Sequence, residues 1–146
     1  MWSCLPCGKR EDVKYRLLKS LGGGEFERGL YKDLQGRISA YFERGYVNFN
    51  KDIPIILDGF GPFGRRVLRA CRNVRYGKTI SYGGLAKKAG RPVAARAVGN
   101  VLARNPLPLI IPCHRVICAD GGLGGFSAAG GLKVKKRLLE LEKKWV

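Results

Sequence analysis

Residues 61–119 contain no acidic side chain, yet they carry 12 Lys and Arg, the first Arg65 and the last Arg115. A unit folded from such a stretch cannot pair its charges internally. Its cations must face outward or meet carboxylates from elsewhere, and apolar burial must supply its stability. The imbalance is local. Residues 1–60 hold 10 Lys and Arg against 8 Asp and Glu, whereas residues 61–146 hold 18 against 3. The whole chain has a formal net charge of +17. A field of this kind attracts polyanions, and the commonest of these is nucleic acid, whose binding is driven by counterion release. The alternative is a solvated basic surface that serves solubility.

The length of 146 residues suits one compact unit or two small lobes. Hydrophobic residues make up 45%, which is enough for a core and excludes the highly charged, apolar-poor disordered class. No apolar run approaches the ~20 residues that span a bilayer. The start, Met1-Trp2-Ser3-Cys4-Leu5-Pro6-Cys7, lacks the apolar stretch of a secretory signal. Five cysteines without an export signal point to a cytoplasmic protein with at least one free thiol.

The first 33 residues give little pattern. Val13-Lys14-Tyr15-Arg16-Leu17 alternates like a strand, and Gly22-Gly23-Gly24 marks a break. Leu34, Ile38, Tyr41 and Phe42 predict a short helix over 34–44, ended by Gly45. Residues 47–57 are expected to be extended, with Pro54 disfavouring a central strand. Asp58-Gly59-Phe60-Gly61-Pro62 reads as a boundary between lobes. Beyond it Phe63, Val67, Leu68 and Cys71 repeat at helical spacing. Ser81 is suited to cap a second short helix to about Ala89, closed by Gly90. Pro92 suits the first turn of a third helix, which must stop near Asn105 because Pro106 follows. The last two helices form a helix-turn-helix candidate. Residues 107–112 are apolar and bracketed by prolines, hence expected to be buried and extended. A Gly-rich loop follows over 121–131, then a final helix with a Val134, Leu138, Leu141 and Trp145 stripe.

The chain has a single histidine, His114, directly after Cys113. A thiol with a pKa of about 8.5 is a poor nucleophile at neutral pH, and a neighbouring base makes it a thiolate. Adjacent side chains rarely face each other, so a water is expected to bridge them. Glu142 is the best candidate to orient the imidazole, being one of only 3 acids after residue 60. Glu140 and Asp120 are less well placed. The bland alternative is a buried Cys113 beside a satisfied core His114. In the third helix Ala94, Ala95, Ala97, Val98 and Gly99 leave Arg96 as the one long side chain. Such a run suits close helix packing. Beside a basic field it also suits a smooth helix in a narrow groove of DNA, with the Arg inserted into the base stack.

These pieces resemble the O6-alkylguanine-DNA alkyltransferases, the methylated-DNA–protein-cysteine methyltransferases. The resemblance is carried by Tyr76-Gly77-Lys78-Thr79-Ile80-Ser81-Tyr82, Ala94-Ala95-Arg96-Ala97-Val98-Gly99, Asn105-Pro106 and Pro112-Cys113-His114-Arg115-Val116. It continues through Gly124-Gly125-Phe126-Ser127, Gly130-Gly131-Leu132, Lys135, Leu138-Leu139 and Glu142. A weaker match reaches back through Pro62-Phe63 to Ala40-Tyr41-Phe42. It implies an α/β (α+β) fold: a small β-containing lobe with a helix over 1–60, then a mostly helical domain over 61–146 with a winged-helix-like helix-turn-helix. It implies DNA repair by direct reversal, in which one alkyl group moves from O6-alkylguanine, and O4-alkylthymine, in double-stranded DNA to an internal cysteine. Cys113 would accept the alkyl group, His114 would act as base through water and Glu142 would orient it. Asn105 would tie the recognition helix to the active-site loop. Tyr82 would hydrogen-bond the flipped base, and Arg96 would fill the gap in the stack. Ala95, Ala97, Gly99 and Arg115 would lie among the DNA-binding residues. Backbone groups around Cys113, Val116 and Ser127 would hold the base edge, with Lys135 near the acceptor. No cofactor and no metal are implied, and the protein would act as a monomer.

The chain departs from the family pattern in two places. Phe126 replaces a tyrosine of the Gly-rich loop, and Ala128-Ala129 lengthen that loop. Cys4 and Cys7 form a Cys-x-x-Cys pair, either half of a zinc site or a local disulfide. Cys71 is expected in the core and Cys118 near the site. Two rival functions remain: a DNA-binding module without chemistry, like the alkyltransferase-like relatives, and a Cys-His hydrolase. The hydrolase usually draws nucleophile and base from separate chain positions.

Overall fold

The computed structural model describes residues 32–43, 45–49 and 53–144. The alternating segment at 13–17, the glycines at 22–24, Cys4, Cys7 and Trp145 lie outside these residues. Among the described residues, five α-helices and two short strands follow in order: α1 (Lys32–Glu43), α2 (Pro62–Arg72), β1 (Ile80–Ser81), α3 (Tyr82–Lys88), α4 (Ala95–Leu102), a 3-10 turn (Cys113–Arg115), β2 (Val116–Ile117) and α5 (Gly131–Lys143). The fold is mixed α/β and mostly helical beyond residue 61. The β content expected of the N-terminal lobe is not seen at 32–43, 45–49 or 53–60, which hold α1 and irregular chain.

Helix α2 starts at Pro62, whose fixed φ suits a first turn. It buries Gly64, Val67, Leu68 and Cys71, while Arg69 and Arg72 in its last turn complement the helix dipole. Its arginines also hold the neighbouring chain. Arg72 Nη2 donates to Ile53 O at 2.7 Å, and Arg66 Nε donates to Ala89 O at 2.9 Å at the end of α3. The segment 53–57 is therefore pinned to a helix by side chains and pairs with no strand among the described residues.

Ser81 Oγ accepts the Gly84 amide at 3.0 Å and so caps α3. Gly90, at φ +79, ends it, and the Arg91 amide donates to Ala86 O at 2.9 Å in the six-to-one bond of a Schellman close. The third helix begins later than expected. Pro92 and Val93 lie in the turn, Ala94 is the N-cap and α4 starts at Ala95. The tight turn after Gly90 uses up the residues that the helical pattern had claimed. Helices α3 and α4 pack on each other and both pack on α2, giving a helix-turn-helix on a supporting helix.

Residues 107–112 are buried as expected but are not extended. The Ile111 amide donates to Leu107 O at 2.8 Å, and Leu109 adopts φ 73. The prolines punctuate a folded turn rather than a strand. Strand β2 then pairs in parallel with β1, Ile80 opposite Val116 and Ser81 opposite Ile117. This two-residue sheet seats the segment after Cys113 beside the entrance to the helix-turn-helix. One apolar cluster runs through the molecule, from Tyr41, Phe49 and Leu57 to Leu68, Leu85, Val98, Ile111 and Leu138.

Candidate active site

The site begins at the end of α4. Asn105 Nδ2 donates to Ile111 O at 2.8 Å, and its Oδ1 accepts the Leu107 amide at 3.1 Å. One amide thus closes the turn that carries the cysteine. Leu109 adds a left-handed backbone, which costs a branched residue about 1 kcal/mol or more and persists only where surroundings enforce it. Cys113 then opens the 3-10 turn.

Cys113 is 9% exposed. Burial pushes its thiol pKa up, against the pull of Asn105 and of the Lys135 ammonium. The resting sulfur is a protonated thiol that requires a base. His114 and Glu142 are each 1% exposed, and His114 Nε2 lies 2.8 Å from Glu142 Oε1. Burial alone would raise the Glu142 pKa. Hydrogen bonds from His114 and Arg115, together with the Arg115 charge, outweigh it and hold the carboxyl at about 2. An ionised carboxylate only accepts, so Nε2 carries the imidazole proton and Nδ1 is the basic atom. Burial, the largest influence, lowers the His114 pKa and keeps the ring neutral, as a base must be.

Arg115 corrects one expectation. Placed among the DNA-binding residues by the resemblance, it is 6% exposed and its guanidinium is spent inside. Its Nε and Nη2 contact Glu142 at 2.9 and 2.8 Å, and Nη1 donates to Val74 O at 2.6 Å. A guanidinium so held cannot reach a phosphate. Two donors to Glu142 had no reading in the sequence: the Tyr41 hydroxyl at 2.8 Å and the Gly77 amide at 3.0 Å. Tyr41 lies 101 positions from Glu142, so spacing gave no signal beyond its place in the weak Ala40-Tyr41-Phe42 match.

On the solvent side Cys113 faces a cleft of about 630 Å³. Tyr82, Ala95, Arg96 and Gly99 line it from the helix-turn-helix, and Gly124, Gly125, Phe126 and Ser127 from the Gly-rich loop. The Tyr82 hydroxyl donates to Gly125 O at 3.4 Å, and burial raises its pKa, so it stays a donor. Gly124 has φ +66, and a Cβ there would stand 2.7 Å from the Tyr82 ring. Only glycine lets loop and ring approach this closely. Lys135 is fully buried, with Nζ 2.6 Å from Val116 O and 3.3 Å from Gly125 O. Cys118 lines the same cleft, and Cys71 is buried in the core. Arg96 and Ala97 are exposed on α4, whereas Val116 is buried. A second cleft of about 490 Å³, beside Tyr46 and Tyr76, does not include Cys113. Among the described residues no group of three or more His, Cys, Asp or Glu is placed to hold a metal, and no helix is long and apolar enough to cross a membrane.

Residues 62–144 match the model of the 6-O-methylguanine DNA methyltransferase DNA-binding domain. A methylated-DNA–protein-cysteine methyltransferase of Mycobacterium leprae is 45% identical over 118 residues, which cover 80% of this chain and 68% of that one. The chain belongs to the methylated-DNA–protein-cysteine methyltransferase family. That makes it an alkyl-transferring enzyme of DNA repair. The crystal structure of another member of this methyltransferase family, Mycobacterium tuberculosis OGT in complex with DNA, superposes with a TM-score of 0.72 at 39% identity, covering 81% of this chain and 70% of that one. The S. pombe protein Atl1, in complex with damaged DNA containing O6-carboxymethylguanine, superposes with a TM-score of 0.50 at 31% identity, over 60% of this chain and 79% of that one. The candidate site thus combines a protonated thiol, a neutral imidazole tied to a carboxylate, and a cleft bordered by a helix with small residues.

Proposed function

We propose that this protein repairs O6-alkylguanine, and O4-alkylthymine, in double-stranded DNA by one irreversible transfer of the alkyl group to Cys113. Residues 61–146 form the DNA-binding and transfer domain and residues 1–60 the supporting lobe. The observation that carries the reading is the position of Cys113, on the floor of a cleft bounded by α4, with the His114–Glu142 pair behind it.

A lesion atom inside a duplex is out of reach of a thiol in such a cleft. The nucleotide must leave the stack, at a cost of roughly a few kcal/mol. Helix α4 lies in the minor groove, where its small residues let the backbone approach and exposed Arg96 fills the vacated space. His114 Nδ1 takes the Cys113 proton through a water. The thiolate then attacks the alkyl carbon, the carbon–oxygen bond breaks, and its electron pair stays on guanine. Charge developing on the base is met by the Tyr82 hydroxyl, and backbone groups at Cys113, Val116 and Ser127 hold the base edge. Lys135 sits close enough to the sulfur to favour thiolate. The product is a thioether, so each molecule acts once. It acts as a monomer, inside the cell with the DNA.

Mass spectrometry with peptide mapping tests this after incubation with O6-methylguanine duplex under reducing conditions. One methyl group on Cys113 is expected, and Cys113→Ala abolishes transfer while retaining DNA binding. An unmodified protein that still binds the lesion indicates a module without chemistry. Product beyond one equivalent indicates a hydrolase.

A further inference from the structure

Glu142 is the most heavily solicited acceptor among the described residues. Its Oε1 lies 2.8 Å from each of Tyr41 Oη, His114 Nε2 and Arg115 Nη2, and its Oε2 takes the Gly77 amide at 3.0 Å. These donors come from α1, the turn before β1, and the 3-10 turn, and they converge on a carboxylate carried by α5. Tyr41 stands apart from the others because it precedes the matched residues 62–144. It is fully buried, with its ring fixed by Phe42 at 5.2 Å, Phe49 at 5.9 Å and Tyr76 at 6.0 Å.

We infer that Tyr41 is a positioning residue for alkyl transfer: its hydroxyl, donating to the Glu142 oxygen that holds His114, sets the direction and strength of that oxygen as an acceptor. The inference rests on the proposed transfer reaction and adds to it a residue outside the DNA-binding domain. A carboxylate oxygen offers two in-plane lone-pair directions, and here donors from three residues share it. Each donor draws charge away from the imidazole. With Tyr41 and Arg115 in place, Oε1 fixes Nε2–H yet stabilises an imidazolium less than an unshared oxygen would, so that burial prevails. The base therefore stays neutral and aimed. Burial first, and then the adjacent carboxylate, push the Tyr41 pKa far up, so the phenol remains a donor at every pH of interest. Among the described residues, the charged and titratable groups facing Glu142 are His114 and Arg115 from the 3-10 turn, Tyr41 from α1 and Tyr76, and those acting on His114 are Glu142 and Lys135 from α5 and Arg115.

Tyr41→Phe keeps the ring packing and deletes the donor. Free O6-benzylguanine serves as the substrate, so that DNA binding does not enter the rate. The variant is expected to react about tenfold more slowly at neutral pH, because the loss of aim at the imidazole outweighs the gain in its basicity. The acid limb of its rate should move up by about half a pH unit or more, because a less solicited Oε1 stabilises the imidazolium. His114 is the only histidine, so labelled-histidine NMR reads its titration directly in both proteins. An unmoved acid limb together with an unmoved His114 titration overturns the inference, even if the variant melts earlier. Should the variant not fold, the wild-type protein still decides. The inference requires an Nε2–H tautomer at neutral pH and a slowly exchanging Tyr41 hydroxyl proton with a nuclear Overhauser contact to the imidazole, and absence of either overturns it. A wild-type protein that transfers no alkyl group ends the transfer reading, whereas the NMR comparison still reports whether Tyr41 holds the histidine.

Discussion

At the scale of single residues the site is governed by what burial does to charge. Cys113, His114 and Glu142 are all nearly inaccessible, yet they end in different protonation states because their partners differ. The thiol keeps its proton, the imidazole is neutral, and the carboxylate is ionised because the His114 N–H and the Arg115 guanidinium both face it at 2.8 Å. This arrangement predicts acid sensitivity with a defined sign. A carboxyl held at about 2 when folded, against 4.5 ordinarily, adds stability that is fully present above 4.5 and is lost as pH falls towards 2. His114, whose folded pKa is also lowered, adds a decline that starts as pH falls below its ordinary 6.5. Unfolding free energies from denaturant titrations should therefore be flat near neutrality and fall steadily in acid. Glu142→Gln should remove the lower part of that dependence. It should also cost about 3–5 kcal/mol at neutral pH, because it leaves the Arg115 guanidinium buried without its counter-charge. A variant with wild-type stability at pH 7 would contradict this account of the pair.

At the scale of elements, helix α4 does two things with its two faces. Val98, Val101 and Leu102 bury it against α2 and α3, while Ala95, Arg96 and Gly99 border the cleft. The run of small residues had two readings in the sequence, helix packing and approach to DNA. The structure assigns packing to the valines and leucine and leaves the small side chains beside the cleft. Arg96→Ala is expected to slow repair of duplex DNA about tenfold or more, because flipping loses its replacement in the stack. Attack on free O6-benzylguanine, which needs no flipping, should change by less than about twofold. Equal losses on the two substrates would count against a stack-filling role. The helix boundaries were legible where chemistry marks them, as at Ser81 and Gly90 for α3. They were not legible at Pro92, where a turn and a first helical residue make the same demand on φ. The buried turn at 107–112 reads as extended for a similar reason. Prolines exclude helix, but nothing in an apolar run announces that Leu109 will take a positive φ.

At the scale of the whole molecule, the excess charge and the core lie in different places. Exposed Lys87, Lys88, Arg91, Arg96 and Arg104 surround the helix-turn-helix, while the carboxylates after residue 60 are 3, one of them buried as Glu142. Binding of undamaged duplex should accordingly weaken steeply with salt. A double-logarithmic slope of about −3 or steeper is expected, the mark of three to four phosphate contacts. A titration at several salt concentrations checks this, and a flat response would mean that the basic field does not meet the backbone. The core also joins the two ends of the description: Tyr41, Phe49 and Leu57 share one cluster with Leu138 of α5. Helix α1 thereby reaches a site whose residues expected from the sequence all lie between Tyr82 and Glu142.

The amino-acid sequence by itself determined the chemistry that this protein has available. A lone histidine beside a cysteine, an acid-free basic stretch, a small-residue helix with one arginine and a late glutamate are properties of order and composition, and they pointed to family and nucleophile together. Tertiary structure alone decided how that chemistry is shared out. Whether Arg115 meets DNA or Glu142, and whether Tyr41 is a core aromatic or a donor to the site, depends on which distant segments converge on one carboxylate. Hydrogen bonds over such separations leave no periodicity in the chain, because their geometry exists only after the core has closed.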